Sequence, residues 1–124
     1  MKAIEFDGAN MKIAEHQDQY NTLPAFFNIK EGSVIACFEL SDEELKAVNE
    51  TKRIYYKQLT FGKPMNPMLM STNFDELQTL TEKDLNEIGF ELVPDNHEVS
   101  HEDFVYFQLM DKLFYQKRQK KEGD

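Results

Sequence analysis

Two histidines lie close enough in the sequence to act on one substrate or one metal ion. His97 and His101 are four residues apart, and Glu102 follows directly. Histidines at this spacing on one helix face can chelate zinc. The predicted helix begins at Ser100, however, so His97 precedes it and the two rings do not share a helical face. Carboxylates are expected at a helix start in any case, because they stabilise the positive end of its dipole. We therefore predict no metal site and no cofactor.

No local motif identifies a catalytic group. The chain lacks a nucleophile elbow, a glycine-rich phosphate loop, a Cys-x-x-Cys pair and other paired catalytic motifs. Its single cysteine, Cys37, lies in an apolar run and is interpreted as a small buried hydrophobic side chain. We predict no catalytic residues and a protein that is not an enzyme. If it is one, the region of His97 and His101 is where an active site is expected.

A loop stiffened by two prolines and a glycine is the strongest candidate for a binding surface. Residues 60–67 read Thr-Phe-Gly-Lys-Pro-Met-Asn-Pro. Proline fixes its own φ, lacks an N–H and disfavours the helical region for the preceding residue, so no helix can run through this loop. The side chains that it is predicted to present to a ligand or partner are Phe61, Lys63 and Asn66.

A second polar loop supplies further hydrogen-bonding groups. It is predicted to bind a ligand or partner through His16, Gln17, Asp18 and Tyr20. Loops concentrate functional residues. The same composition is equally typical of a turn that caps the edge of a sheet. If the strands that carry the two loops are neighbours, the loops are expected to form the walls of one recess.

The hydrophobic pattern of the first part of the chain predicts mainly strands. Strands are predicted over 2–6 and 11–15, paired as a hairpin, and over 25–30, 34–38, 53–60 and 68–71. A capping box at Ser41 and Glu44 predicts a helix that runs to about Glu50. The fold class is therefore predicted as α+β, with a small, mainly antiparallel twisted sheet of about five to six strands and one crossover helix.

Beyond Thr72 the pattern indicates helices. A second capping pattern begins at Thr81, and Gly89 is a helix stop. The longest helix is predicted from Ser100 to Gln116, because apolar residues recur at helical spacing. It is expected to pack on the open face of the sheet or in a groove between subunits. We predict a single domain over 1–124, with a β-rich part (1–72), a helical acidic extension (73–116) and a frayed basic tail (117–124).

The charge of the chain is acidic and uneven. Residues 1–72 carry 10 acidic and 8 basic residues, whereas residues 73–124 carry 13 and 6. Such a surface repels phosphate backbones, which disfavours nucleic-acid binding. No apolar run approaches the roughly 18 residues of a membrane span, and the N-terminus lacks the apolar core of a signal peptide. We expect a cytoplasmic protein without membrane contact.

Three stretches between residues 14 and 72 form a recognisable arrangement. They are Ala14–Tyr20 with Leu23-Pro24, Gly32–Ser41, and Ile54 through Pro67 with Ser71. This arrangement resembles a family of small, mostly uncharacterised proteins of tailed bacteriophages and prophages, and its most specific part is the Thr-Phe-Gly-Lys-Pro-x-x-Pro loop. Phe38 stands where a Trp is expected. The resemblance implies a phage origin, with the protein in the host cell cytoplasm or in the virion, and it assigns no catalytic residues.

Three functions follow from these observations. The first is an accessory or counter-defence factor that acts by binding a host protein, a phage protein or a small signalling ligand. The second is a structural component of the virion, such as a minor capsid or tail-associated protein. The third is an enzyme that uses the region of His97 and His101. Association between copies of the chain is open in each.

Overall fold

The computed structural model describes residues 1–15 and 21–119, and this part of the chain is an α+β structure. Its strands are β1 (Lys2–Ile4), β2 (Met11–Ile13), β3 (Leu23–Asn28), β4 (Ser33–Ile35), β5 (Cys37–Glu39), β6 (Glu91–Leu92), β7 (Phe104–Leu109) and β8 (Lys112–Lys117). Its helices are α1 (Asp42–Thr51), α2 (Phe74–Leu77) and α3 (Glu82–Glu87). The predicted fold class is confirmed, although the strands form three small antiparallel sheets rather than one. Within the described ranges, no helix combines the length and the apolar character needed to cross a membrane.

The first two strands do not form the predicted hairpin. β1 pairs with β5, and β2 pairs with β3, which also pairs with β4. Asn10 explains why β2 prefers β3. Its backbone N–H donates to the carbonyl of Ala25 at 2.8 Å, and its side-chain oxygen accepts from the N–H of Phe27 at 2.7 Å. The side chain thereby adds a hydrogen bond beyond the end of the β2–β3 ladder, which a hairpin with β1 would not provide.

The C-terminal segment is a β-hairpin, and the helix predicted over 100–116 is wrong. β7 and β8 pair along six residues each through a two-residue turn at Met110 and Asp111, and β6 adds to the other side of β8. Alternate residues Phe107 and Leu109 are buried, as a strand requires. The aromatic and β-branched content of these strands favours the sheet over the helix. The predicted helical extension is therefore helical only as far as Glu87.

The strands predicted over 53–60 and 68–71 are also absent. Residues 52–73, all of them within the described chain, contain neither helix nor strand. A strand needs a neighbour for its backbone hydrogen bonds and a core to cover one face. This segment has no such neighbour among the described strands, and none of its residues is buried.

The core is built from the two ends of the described chain. Its buried apolar residues are Ala25, Phe26, Leu80, Leu85, Phe90, Phe107, Leu109 and Phe114. The ring of Phe74 extends this core, because it packs edge-to-face on Phe26 with centroids 5.7 Å apart. Residues 29–79 all lie within the described chain, and none of them is buried. Cys37, predicted to be buried, is only half-buried.

The two predicted capping boxes begin helices. At α1 the N–H of Glu44 donates to the hydroxyl of Ser41 at 3.2 Å, and the N–H of Ser41 donates to the Glu44 carboxylate at 3.1 Å. Thr81 and Asp84 make the same reciprocal pair at α3. These short-range signals identify helix starts because both partners are fixed by a spacing of three residues.

An ion pair fastens α3 to the segment that follows β3. Lys30 Nζ lies 2.6 Å from Asp84 Oδ1, and the N–H of Thr81 donates to the other carboxylate oxygen at 3.0 Å. The hydrogen bond from Lys30 is the largest cause, and that from Thr81 the next, of the lowered pKa of Asp84, which falls from 3.8 to about 2. The ionised carboxylate is therefore the form that the folded state prefers.

The effect of pH on this pair can be tested directly. Because the pKa of Asp84 is lower in the folded chain than in the unfolded chain, its contribution to stability is present above pH 3.8 and is lost as the pH falls through about 2. Lys30→Met should move the titration midpoint of Asp84, followed by carboxyl NMR shifts over the pH range in which the protein stays folded, upward toward 3.8. Lys83→Met is the control, since Lys83 makes none of the ion pairs found among the described residues. An unchanged midpoint in Lys30→Met would show that the pair is not formed.

The uneven distribution of the core predicts very different costs for two leucines. Leu85 is fully buried, whereas Leu69 is 82% exposed. Leu85→Ala leaves a cavity and should lower the free energy of unfolding by about 2–5 kcal/mol. Leu69→Ala should change it by less than about 0.5 kcal/mol. Urea denaturation of both variants measures the difference, and equal costs would mean that the core has been wrongly located.

Candidate functional site

Residues 52–73, which we call the connector, expose an unusual amount of apolar surface. Of the 19 large apolar side chains exposed in the described chain, nine lie here. They are Ile54, Tyr55, Tyr56, Leu59, Phe61, Met65, Met68, Leu69 and Met70. Single exposed apolar residues are normal on a protein surface, but contiguous apolar patches on soluble proteins mark interaction sites. The connector is therefore the principal candidate site.

A tight turn at the middle of the connector holds an aromatic side chain outward. The N–H of Lys63 donates to the carbonyl of Thr60 at 3.0 Å, which closes a four-residue turn. Its two central residues both have positive φ, 54° at Phe61 and 79° at Gly62. Glycine adopts this conformation freely, whereas for a residue with a side chain it costs about 1 kcal/mol. Phe61 bears that cost while its ring is 88% exposed and gains nothing from the core.

The connector also differs from the rest of the chain in charge. It carries four basic residues and no acidic one. The whole chain has a formal charge of −9, so the part outside the connector carries −13. The basic residues are Lys52, Arg53, Lys57 and Lys63. A cationic, apolar segment on an acidic body attracts acidic partners and repels cationic ones.

The structure describes only one of the two loops that are predicted to form the binding site. Phe61, Lys63 and Asn66 are all exposed on the connector. His16, Gln17, Asp18 and Tyr20 lie outside the described residues, so this part of the predicted site is not placed. An open recess of about 460 Å³ lies between β1 and β2, and Glu15 and Thr22, on either side of that polar loop, line it. No connector residue lines this recess.

The predicted histidine region forms an aromatic cluster against the C-terminal hairpin. His97 Nε2 lies 2.6 Å from the hydroxyl of Tyr106, which also accepts the N–H of Ser100 at 2.9 Å. The imidazole packs edge-on against Phe104 and Tyr115, with centroids 5.1 and 4.8 Å away. Tyr106 has one hydroxyl hydrogen, and giving it to His97 leaves its oxygen free to accept from Ser100. The cluster thereby fixes the loop before β7 to the hairpin.

The two histidines do not converge on an open site. His101 approaches the other members only through Tyr106, at a centroid separation of 5.3 Å. Among residues 1–15 and 21–119, no group of three or more His, Cys, Asp or Glu is arranged to hold a metal ion. What the geometry provides here is packing and hydrogen bonding within the fold.

Sequence reasoning missed the aromatic partners of His97. Phe104, Tyr106 and Tyr115 fell within the region predicted as helix, where Phe104 and Tyr115 would lie about three turns apart on one face and Tyr106 would point away from both. The signal that could have found them is the run of aromatic and β-branched residues over 104–107, which is typical of a strand. The turn at Met110, with its φ of 55°, is visible only in the structure. Pairing in register then places Tyr106 directly opposite Tyr115.

Comparisons of the chain with models of known protein families, with curated proteins and with solved structures find no match. Any functional conclusion therefore depends on the chemistry of the described surfaces. The connector offers apolar side chains and positive charge, and both kinds of group contribute to binding at protein surfaces.

The structural role of the aromatic cluster leads to a stability prediction. Tyr106→Phe keeps the ring but removes the hydroxyl that satisfies Ser100 and His97. It should lower the free energy of unfolding by about 1–2 kcal/mol, because two partly buried polar groups lose their partner. Tyr55→Phe, at a ring that is 89% exposed, is the matched control and should have no measurable effect. Thermal denaturation followed by circular dichroism compares the two variants. If they were equally stable, the Tyr106 hydroxyl would not anchor the loop before β7.

Proposed function

We propose that this protein is a non-enzymatic, phage-encoded binding protein that captures another protein through the connector. The observation that carries the proposal is the conformation of Phe61, a ring that is 88% exposed on a backbone with φ of 54°. Backbone strain persists only where the surrounding chain imposes it, and it concentrates at ligand-binding and switch positions. Here the turn closed between Thr60 and Lys63 imposes it.

Rigid presentation favours affinity. A flexible loop loses conformational entropy when it binds, whereas a loop ordered in advance loses little. The hydrogen bond between Lys63 and Thr60 closes the turn before Lys63, and Pro64 and Pro67 restrict the backbone after it. Burial of the Phe61 ring in a partner would then contribute about 1.5–3 kcal/mol.

The position of Lys63 favours a partner whose binding surface has an apolar pocket with an acidic rim. It follows Phe61 by two residues on the same turn, so one contact surface would combine a hydrophobic anchor with a cation. Aromatic anchors at the centre and charged groups at the rim are typical of protein interfaces. Small-molecule sites are concave and enclose most of their ligand. A protein therefore fits the connector better than a small signalling ligand does.

The resemblance to phage proteins sets the biological context of this proposal. An accessory or counter-defence factor would act in the host cell cytoplasm by binding a host or phage protein. The alternative is a virion component, for which a long apolar C-terminal helix and the basic tail over 117–124 would be assembly surfaces. The helix is replaced by the hairpin of β7 and β8, so that part of the argument is lost, whereas residues 120–124 of the tail lie outside the described residues.

The proposal predicts a selective loss of binding. Partners captured from infected cells would be purified and their dissociation constants measured by isothermal titration calorimetry. Phe61→Ala should raise the dissociation constant about 30-fold, which corresponds to about 2 kcal/mol. Lys63→Ala should raise it about 3- to 10-fold, with a weaker salt dependence than the parent protein.

The controls separate binding from folding. Val99→Ala removes an exposed apolar side chain outside the connector and should leave the affinity unchanged. The melting temperatures of Phe61→Ala and Lys63→Ala should match that of the parent protein, because neither side chain contributes to the core. If the double variant Phe61→Ala/Lys63→Ala bound the partner with wild-type affinity, the proposal would be wrong.

A further inference from the structure

Helix α1 is formed without a core to support it. Within the described chain none of its residues is buried, and Leu45 on its apolar side is 47% exposed. A helix of ten residues is marginal in water, and most helices in proteins are stabilised by packing of their apolar face. The capping box at Ser41 fixes where α1 begins, but it does not cover Leu45 or Val48. The N-terminal ammonium of Met1 pairs with Glu44 on this helix, but Leu45 stays half-exposed, so α1 can accept a covering surface.

The total exposed surface points to a large uncovered area. The chain exposes 10671 Å², whereas a compact monomer of its mass, 14.6 kDa, exposes about 6,900 Å². A standard protein interface removes about 800 Å² from each partner, and permanent homodimers remove more. The excess is large enough for an interface of either size.

Charge identifies what fits against α1. The helix carries four acidic residues and one basic one, and its last turn has no basic residue. The stretch that follows at once, residues 52–57, carries three basic residues and no acidic one. Each of these two adjacent surfaces is therefore the electrostatic complement of the other.

The two surfaces do not cover each other within one chain. At the end of α1, Lys52 adopts a left-handed conformation with φ of 58°, and the chain turns away from the helix axis. Ile54, Tyr55 and Tyr56 beyond it remain exposed, as does Leu45 on the helix. A second molecule can therefore supply the complement of α1.

We propose that two copies of this chain form a two-fold symmetric dimer in which α1 of each copy packs on residues 52–57 of the other. Two-fold symmetry brings the same patch of both subunits together in opposite directions. Each acidic helix then meets the cationic stretch of its partner, so the contact occurs twice in the dimer, and Leu45 and Val48 cover Ile54 and Tyr56. A ten-residue helix spans about 15 Å and the five residues 53–57 span at most about 18 Å, so the two surfaces are comparable in length.

This dimer goes beyond the proposed function and shares with it only residues 52–57 of the connector. It uses residues 42–57 and leaves the turn with Phe61 and Lys63 outside the interface. Each dimer would present two binding loops, which raises the apparent affinity for a partner that is itself multivalent.

Charge reversal tests the pairing. Light scattering on the full chain should give the mass of a dimer at micromolar concentration. Glu43→Lys/Glu50→Lys makes both surfaces cationic, and Arg53→Glu/Lys57→Glu makes both acidic. Each variant alone should dissociate, with a dimer dissociation constant raised at least about 10-fold, because like charges then face each other. A mixture of the two should recover a mixed dimer, since opposite charges again meet at both contacts.

Matched controls exclude general effects of charge. Asp95→Lys/Glu98→Lys makes the same change of net charge at exposed positions away from α1 and should leave the dimer intact. Far-ultraviolet circular dichroism of each variant checks that it remains folded. Arg53→Glu/Lys57→Glu alters no residue of α1, so its dissociation cannot be attributed to the helix sequence.

Three results would overturn the dimer: a wild-type monomer at all accessible concentrations, dimers that survive both reversals, or a mixture that stays monomeric. Phe61→Ala/Lys63→Ala distinguishes this proposal from the proposed function. It should keep the mass of a dimer while it loses the partner, whereas failure of the dimer alone would leave partner binding intact.

Discussion

The rest of the structure depends on one constraint: all the buried apolar residues of the described chain come from its two ends. Ala25 and Phe26 supply one side of the core, and residues 80–114 supply the other. No residue from 29 to 79 is buried. The hydrophobic effect therefore holds the ends together and leaves the middle of the chain on the surface. Both α1 and the connector owe their exposure to this distribution.

The side chain of Asn10 shows how the two ends are joined. Its amide nitrogen donates to the carbonyls of Phe27, at 3.2 Å, and Gln108, at 3.0 Å, while its oxygen accepts from the N–H of Phe27. The amide of Asn10 thus links β3 to the C-terminal hairpin, although Asn10 and Gln108 are 98 positions apart in the sequence. Asn28 satisfies the turn after β3 in a similar way, accepting from the N–H groups of Lys30 and Glu31. These polar groups fix the arrangement of elements that apolar packing alone leaves loosely specified.

The features that the sequence predicts well are local ones. The caps at Ser41 and Thr81 depend on partners three residues away. The exposed loop at Phe61 follows from Gly62, Pro64 and Pro67, because no helix can run through it. Strand pairing depends on distant residues, so the partners of β1 and β2 could not be inferred. Phe107 and Phe114 fit a helical face as well as opposed strands, because short amphipathic segments satisfy both periods. The exposure of 53–60 was missed for a related reason: its β-rich composition gives no sign of whether a neighbouring strand exists.

The separation of the connector from the core has a consequence for how the sequence can change over time. Substitutions in residues 52–70 remove no buried contact, so most of them leave the folded state nearly as stable as before, whereas Asn73 caps α2 and supports that helix. The need for a stable fold therefore restricts the sequence of this segment little, and the molecules that it contacts determine which side chains are retained. Residues near Phe26 and Leu85 are restricted by the packing of the core, in which few replacements fit. The two parts of one chain can thus diverge at different rates, and a new partner could be acquired without a new fold.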